Sequence, residues 1–181
     1  MKTVDGDVIV VGAGLIGLAI AFELAERGAA VRVYDRGEPG RAASWAGAGM
    51  LAPYTEDVED EALLALGVTS LAYYPPFIGR VRRASGFDPQ QHLDGIVHAA
   101  YDAAQSERLA RLARRLNERG IAFDLLDRSS LVSCEPWLGA NVVGGLCIYG
   151  EGYVDNRRLG RALAAACVAR GVTVSHASSV T

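Results

Sequence analysis

Asp7-Val-Ile-Val-Val-Gly-Ala-Gly-Leu-Ile-Gly17 is an apolar strand that breaks into Gly12-x-Gly14-x-x-Gly17 and continues as a helical pattern. Each glycine has a physical reason. Gly12 permits a tight turn, Gly14 lets main chain approach a pyrophosphate, and Gly17 lets the helix pack closely on the strand. The amide-rich start of the helix then faces the phosphates. A glycine fingerprint alone is weak, but the surrounding chain completes a βαβ unit. The helix from Leu15 to Arg27 stops at Gly28, a second apolar strand runs from Ala30 to Tyr34, and Asp35 follows at the spacing of a ribose-binding carboxylate.

The chain has 181 residues, enough for one domain with a sizeable core or one domain plus part of another. Half of them are hydrophobic and 22% are charged, a balance that excludes disordered and collagen-like classes. A net charge of -3 leaves no basic footprint, so nucleic acid is not an expected partner. Cys134, Cys147 and Cys167 form no Cys-x-x-Cys pair; neither a metal site nor a disulfide framework is indicated, and buried free thiols are expected. The uncharged run from Val8 to Phe22 is too short to span a bilayer. It also follows Asp5 and Asp7, where a signal peptide carries positive charge. No membrane partner is expected, and the cytoplasm is the expected compartment.

One phrase recurs: a helical segment, an arginine, a glycine, then a short apolar strand. Arg27-Gly28, Arg119-Gly120 and Arg170-Gly171 each fit it. The glycine suits the left-handed position that ends a helix, and the arginine complements the negative end of the helix dipole. These are αβ joints of a layered α/β protein. Residues 103–119 place Leu109, Leu112, Ala113 and Leu116 on one face and arginines elsewhere, predicting a helix that covers a sheet with a solvated outer side. A last helix is predicted over about 157–170, capped by Asp155 or Asn156. Residues 57–72 read as helical, with Pro75-Pro76 expected to kink or interrupt whatever follows. Residues 93–101 and 142–149 read as strands, and Ser129 to Trp137 as a short helix.

Beyond Asp35 lies Gly40-Arg-Ala-Ala-Ser-Trp-Ala-Gly-Ala-Gly-Met-Leu-Ala-Pro53, a run of small residues ending on methionine and proline. A flat conjugated ring lying against backbone needs such residues, with one hydroxyl, that of Ser44, for phosphate or ring contact. Together with the first turn and with Gly150-Glu-Gly-Tyr-Val-Asp155, this run resembles the D-amino-acid oxidase and glycine oxidase family of FAD-dependent amine oxidases, the glycine oxidases of thiamine biosynthesis most of all. The resemblance spans the whole chain; over 57–149 it is one of pattern more than identity.

The resemblance implies an α/β fold: a Rossmann-like FAD-binding domain with part of an α+β substrate domain, truncated. Residues 1–88 would begin the FAD-binding domain, 89–150 would be part of the substrate domain, and 151–181 would continue the first. FAD contacts are implied at Gly12, Gly14, Leu15, Ile16 and Gly17, at Asp35 and Arg36 beside the adenosine ribose, and at Ala43 and Ser44 by the phosphates or ribityl chain. Ala48, Gly49 and Met50 would lie along the isoalloxazine, and the backbone of Val180 would meet adenine. Asn156 stands where many relatives have proline, a change expected to be harmless because both suit a helix start.

The family's substrate-clamping arginine and tyrosine and its second glycine-rich flavin segment have no counterpart here. His92, His98 and His176 sit in no recognisable triad or ligand spacing, so no catalytic and no metal-binding residue is assigned. The implied substrate is a small-molecule amine or amino acid. A sheet lacking later strands would leave an edge and an apolar face uncovered, predicting self-association or a complementary C-terminal chain. Two other readings stand beside this one: a non-catalytic FAD-binding remnant, and an NAD-dependent oxidoreductase. The second leaves Ser44 to Met50 unexplained.

Overall fold

The computed structural model describes residues 7–56 and 60–179. In chain order the elements are β1 (Asp7–Val11), α1 (Leu15–Glu26), β2 (Ala30–Tyr34), α2 (Ala43–Ala46), β3 (Met50–Leu51), α3 (Glu61–Ser85), β4 (Gln91–His92) and β5 (Ile96–Ala100). They continue with α4 (Ala103–Glu118), β6 (Phe123–Asp127), α5 (Arg128–Cys134), β7 (Gly144–Ile148), β8 (Gly152–Val154), α6 (Asn156–Ala169) and β9 (Thr173–Ser175). The chain divides into two compact units. One comprises the residues up to Met50, Tyr73–Gln91 and those from Val154 onward; the other comprises Leu51–Ala72 and His92–Tyr153. Residues 51–72 therefore group with the second unit, although the sequence suggested the first. Within that unit Tyr54 packs on its apolar core, and Arg119 is ion-paired with Glu61.

In the first unit β1, β2 and β9 form a parallel sheet in the order β1-β2-β9, with Val10 opposite Val33 and Val33 opposite Val174. Val31 and Val33 are buried on one face, where α1 contributes Leu18, Ala21 and Phe22, and α6, packed on α1, contributes Leu159, Ala162, Leu163, Ala166 and Cys167. Each large side chain removed from water here is worth roughly 1.5–3 kcal/mol, so this layer holds the unit together. On the other face of β1, Ile9 and Val11 remain 63% and 66% exposed. Parallel sheets are ordinarily covered on both faces.

The second unit carries an antiparallel sheet in the order β5-β7-β6, with Val97 opposite Cys147 and Leu125 opposite Leu146. The apolar stripe of α4 covers it: Leu109, Leu112, Ala113 and Leu116 pack with Ala100, Leu146 and Ile148. Asp102 caps α4 by accepting from the Gln105 amide at 2.7 Å. The predicted joints are in place, since Gly28, Gly120 and Gly171 all have positive φ where their helices end.

Three expectations need correction. Pro75 and Pro76 do not interrupt the chain; they lie inside α3, which runs unbroken from Glu61 to Ser85. Tertiary contacts offset the two missing amide donors: Phe77 meets Phe22 edge-on at 6.3 Å, and Arg80 is ion-paired with Glu23 and Glu26 of α1. By length and composition alone α3 could cross a membrane; Phe77, Ile78 and Val81 are nonetheless buried in the first unit. The expected start of this helix at 57–59 lies outside the described residues. Second, Cys134 is exposed rather than buried, because it ends α5 at the surface, whereas Cys167 is buried and Cys147 half-buried. Third, Asp155 alone caps α6, accepting from the amides of Arg157 and Arg158, which leaves Asn156 for another task.

Candidate cofactor site

Gly12 has φ of +105°, a conformation that L side chains rarely adopt, and its amide donates to the Tyr34 carbonyl at 2.8 Å. A Cβ on Gly17 would lie 1.9 Å from the Gly12 carbonyl oxygen. No other residue lets the helix start this close to the turn. A Cβ on Gly14 would lie 3.1 Å from the Ser44 hydroxyl oxygen, which in turn accepts from the Leu15 amide at 3.0 Å. The two motifs that stand apart in sequence are thus joined at the N-terminus of α1. Ile16 projects outward, 78% exposed.

Asp35 ties the turn to the loop after β2. Its carboxylate accepts from the Ala13 amide at 2.6 Å and from the Gly37 amide at 2.7 Å. These bonds, that of Gly37 foremost, hold the carboxyl below its ordinary range and keep it charged. Asp35 and Arg36 line a cavity of about 300 Å³ together with Val11, Gly12, Tyr34, Ser178 and Ser179. Tyr34 and the two serines were not singled out from the sequence, and no spacing rule points to them. Val180 follows directly but lies outside the described residues.

Ala43 and Ser44 begin α2, and Ala42 just before them has φ of +58°, a strained value for a non-glycine residue. The same segment delivers Ala48, Gly49 and Met50 to β3. Gly49 has φ of +77°, and a Cβ there would lie 2.0 Å from the Val154 carbonyl oxygen, so glycine is required. Met50 is 48% exposed. The missed residue is Asn156: its side-chain amide donates to the carbonyls of Ser44 and Gly47, the latter at 2.6 Å, and so clamps the small-residue segment from beneath. Proline could make neither bond, so asparagine at this helix start adds a contact that the sequence did not suggest.

This arrangement offers main chain without side-chain bulk, a helix N-terminus, a serine hydroxyl and a charged carboxylate beside a cavity. It fits a dinucleotide whose phosphates meet the turn and whose ribose meets Asp35. Residues 7–181 match the family of FAD dependent oxidoreductases called DAO. The chain belongs to that family. It is 36% identical over 162 residues to a glycine oxidase of Pseudomonas putida, covering 90% of this chain and 43% of that protein. It is 34% identical over 174 residues to a bifunctional ThiO/ThiG protein of Trichormus variabilis, covering 96% of this chain and 26% of that protein. The crystal structure of glycine oxidase from Geobacillus kaustophilus superposes with a TM-score of 0.91 at 31% identity, covering 96% of this chain and 47% of that one. The fold is therefore the family's α/β FAD-binding fold, and the chain spans less than half the length of these relatives.

The histidines lie elsewhere. His92 stacks on Tyr153 with ring centroids 5.0 Å apart, and His98 Nε2 lies 3.1 Å from the Thr55 hydroxyl. Among the described residues no group of His, Cys, Asp or Glu is placed to hold a metal ion.

Proposed function

We propose that this chain binds FAD and forms the nucleotide-holding portion of an oxidase that deaminates glycine or a related amine or D-amino acid to an imine and then a 2-oxo acid, with hydrogen peroxide as co-product. The observation that carries the reading is the Leu15–Ser44 bond, which brings the glycine turn and the small-residue segment to one place. A nicotinamide enzyme has no use for that second segment. Flavin supplies the hydride acceptor when bound. The protein's task is to bind and orient.

With its oxygen engaged by the Leu15 amide, Ser44 directs its own proton toward a phosphate oxygen. Asp35 keeps lone pairs for the ribose hydroxyls, with Arg36 beside it. Ala48, Gly49 and Met50 form the wall for the ring. Names of the relatives support the substrate class, a small amine or amino acid. Three free thiols agree with a cytoplasmic setting.

The partner in this reading is a protein surface that covers β1 and α1, whether the remaining part of the enzyme or a second copy of this chain. Ile9, Val11, Ile16 and Ile20 support it: all belong to β1 and α1, and all are 48–78% exposed. Neither nucleic acid nor a membrane enters the proposal.

The test titrates the chain with FAD, following flavin fluorescence, and then adds glycine anaerobically with and without the C-terminal half of a glycine oxidase. Bleaching of bound flavin and peroxide release on admitting air are expected only with the complement. Saturable FAD binding with no turnover under any complement would favour a non-catalytic module. Preference for NADH over FAD would overturn the proposal.

A further inference from the structure

A second cavity, of about 570 Å³, lies in the first unit and shares no lining residue with the one beside Asp35. Its polar wall is cationic. Arg41, Arg157 and Arg161 line it with His176, against a single carboxylate, Glu38, which is engaged by Arg41 at 3.1 Å. Among the described residues Arg161 has no ion-pair partner. Trp45 stands in this wall with guanidinium groups close to its ring, Arg41 at 3.9 Å and Arg157 at 4.6 Å from the centroid. Phe87, Pro39 and Ala164 supply the apolar remainder.

The placement of these arginines works against the local field. Arg157 lies in the first turn of α6, which the Asp155 carboxylate caps and where the helix dipole is positive, and its Nε donates to the Trp45 carbonyl at 3.2 Å; Arg161 follows one turn on. Glu38 neutralises one charge of three. A dianion seated between the guanidiniums would relieve their mutual repulsion and the conflict with the dipole together, and guanidinium forks match phosphate oxygens in geometry. The space greatly exceeds a phosphate group, and the apolar wall asks for a hydrocarbon or ring body.

We propose that the Arg41–Trp45–Arg157–Arg161 cavity is a second ligand site, separate from the cofactor site, for a phosphorylated small molecule with an apolar or planar body. The proposal does not depend on the oxidase reading.

The test uses the whole chain with Trp137→Phe, so that Trp45 is the sole indole. Trp137 is 96% exposed and the exchange leaves the fold intact. Phenyl phosphate should change Trp45 emission saturably, inorganic phosphate more weakly, and phenol or added chloride at equal ionic strength not at all. Arg157→Gln with Arg161→Gln should weaken phenyl phosphate at least about tenfold. Should that pair fail to fold, Arg161→Gln alone should weaken it and Arg161→Lys should restore part of it. Saturating FAD should leave the titration unchanged. A linear response, an equal response to phenol, retention in the folded arginine variants, or displacement by FAD would each overturn the assignment.

Discussion

Asn156 at the start of α6 donates its side-chain amide to the Gly47 carbonyl at 2.6 Å and also to that of Ser44, holding a segment more than a hundred residues away in sequence. The residue is buried. The clamp fixes the main chain on which the flavin is proposed to lie, so its loss should act on cofactor affinity more than on the fold.

Asn156→Ala is therefore expected to weaken FAD binding about tenfold, in line with roughly 1–3 kcal/mol for buried carbonyls losing their donor. Asn156→Asp should be worse, since it places an acceptor against two acceptors. Fluorescence titration measures the affinity, and amide exchange at residues 44–47 measures the clamp without cofactor. Unchanged exchange and affinity in a folded Asn156→Ala protein would remove the clamp from the account.

Glu151 is fully buried in the second unit, where its carboxylate accepts from the Tyr54 and Thr55 amides and from the Thr55 hydroxyl, the last at 2.6 Å. Glu151→Ala leaves those donors unsatisfied in a dry site. A loss of about 2–4 kcal/mol is expected, read from urea unfolding. Glu151→Gln should cost less, because its carbonyl can still accept. Equal losses in the two variants would mean that packing, not hydrogen bonding, is at stake.

Glycines test the turn geometry independently. Gly28 needs only its φ of +91°, with nothing within 4 Å of an added Cβ, whereas Gly49 combines φ of +77° with the Val154 carbonyl oxygen 2.0 Å from that Cβ. Gly28→Ala should cost about 1 kcal/mol and Gly49→Ala at least about twice that, as main chain must also move. Thermal melts of both variants decide it; a Gly49→Ala protein as stable as Gly28→Ala would contradict the close approach.

Much of this was legible in the chain because glycine spacing, helix caps and apolar periodicity are local signals. The turn at 12–17, the three arginine-glycine joints and the stripe of α4 each depend on residues within a few positions of one another. What escaped depends on partners distant in sequence. Local rules read Pro75-Pro76 as a break, but Arg80 meeting Glu23 and Glu26 and Phe77 meeting Phe22 keep α3 whole. Asn156 looked like one more helix start, and nothing beside it reveals that its amide reaches residues 44 and 47. Ser178 and Ser179 reach the cavity beside Asp35 because β9 pairs with β2.

Acid should expose the role of Asp35. An unfolded aspartate titrates near about 3.9, and hydrogen bonds from Gly37 and Ala13 lower the folded value. Its stabilisation is thus complete above the unfolded value and is lost as pH falls through the folded one. Asp35→Asn should lower stability at neutral pH and flatten its fall in the acid range. Parallel acid titrations of the melting temperature would refute this if the wild-type and variant curves keep a constant offset.

The three thiols should report their surroundings by their reactivity. Burial pushes the Cys167 thiol up to about 12, so almost no thiolate exists there near neutral pH, and α1, whose Leu18 carbonyl accepts from the thiol at 3.4 Å, covers it. Cys147 is raised by burial and then by the nearby Asp124 carboxylate, while Cys134 is open to solvent. Alkylation of the native protein at about pH 8, mapped by peptide mass, should therefore modify Cys134 first, Cys147 slowly and Cys167 only on unfolding. Cys167 labelling in step with Cys134 would show that the layer between α1 and α6 opens readily. The dry packing assigned to Leu18, Leu163 and Cys167 would then be wrong.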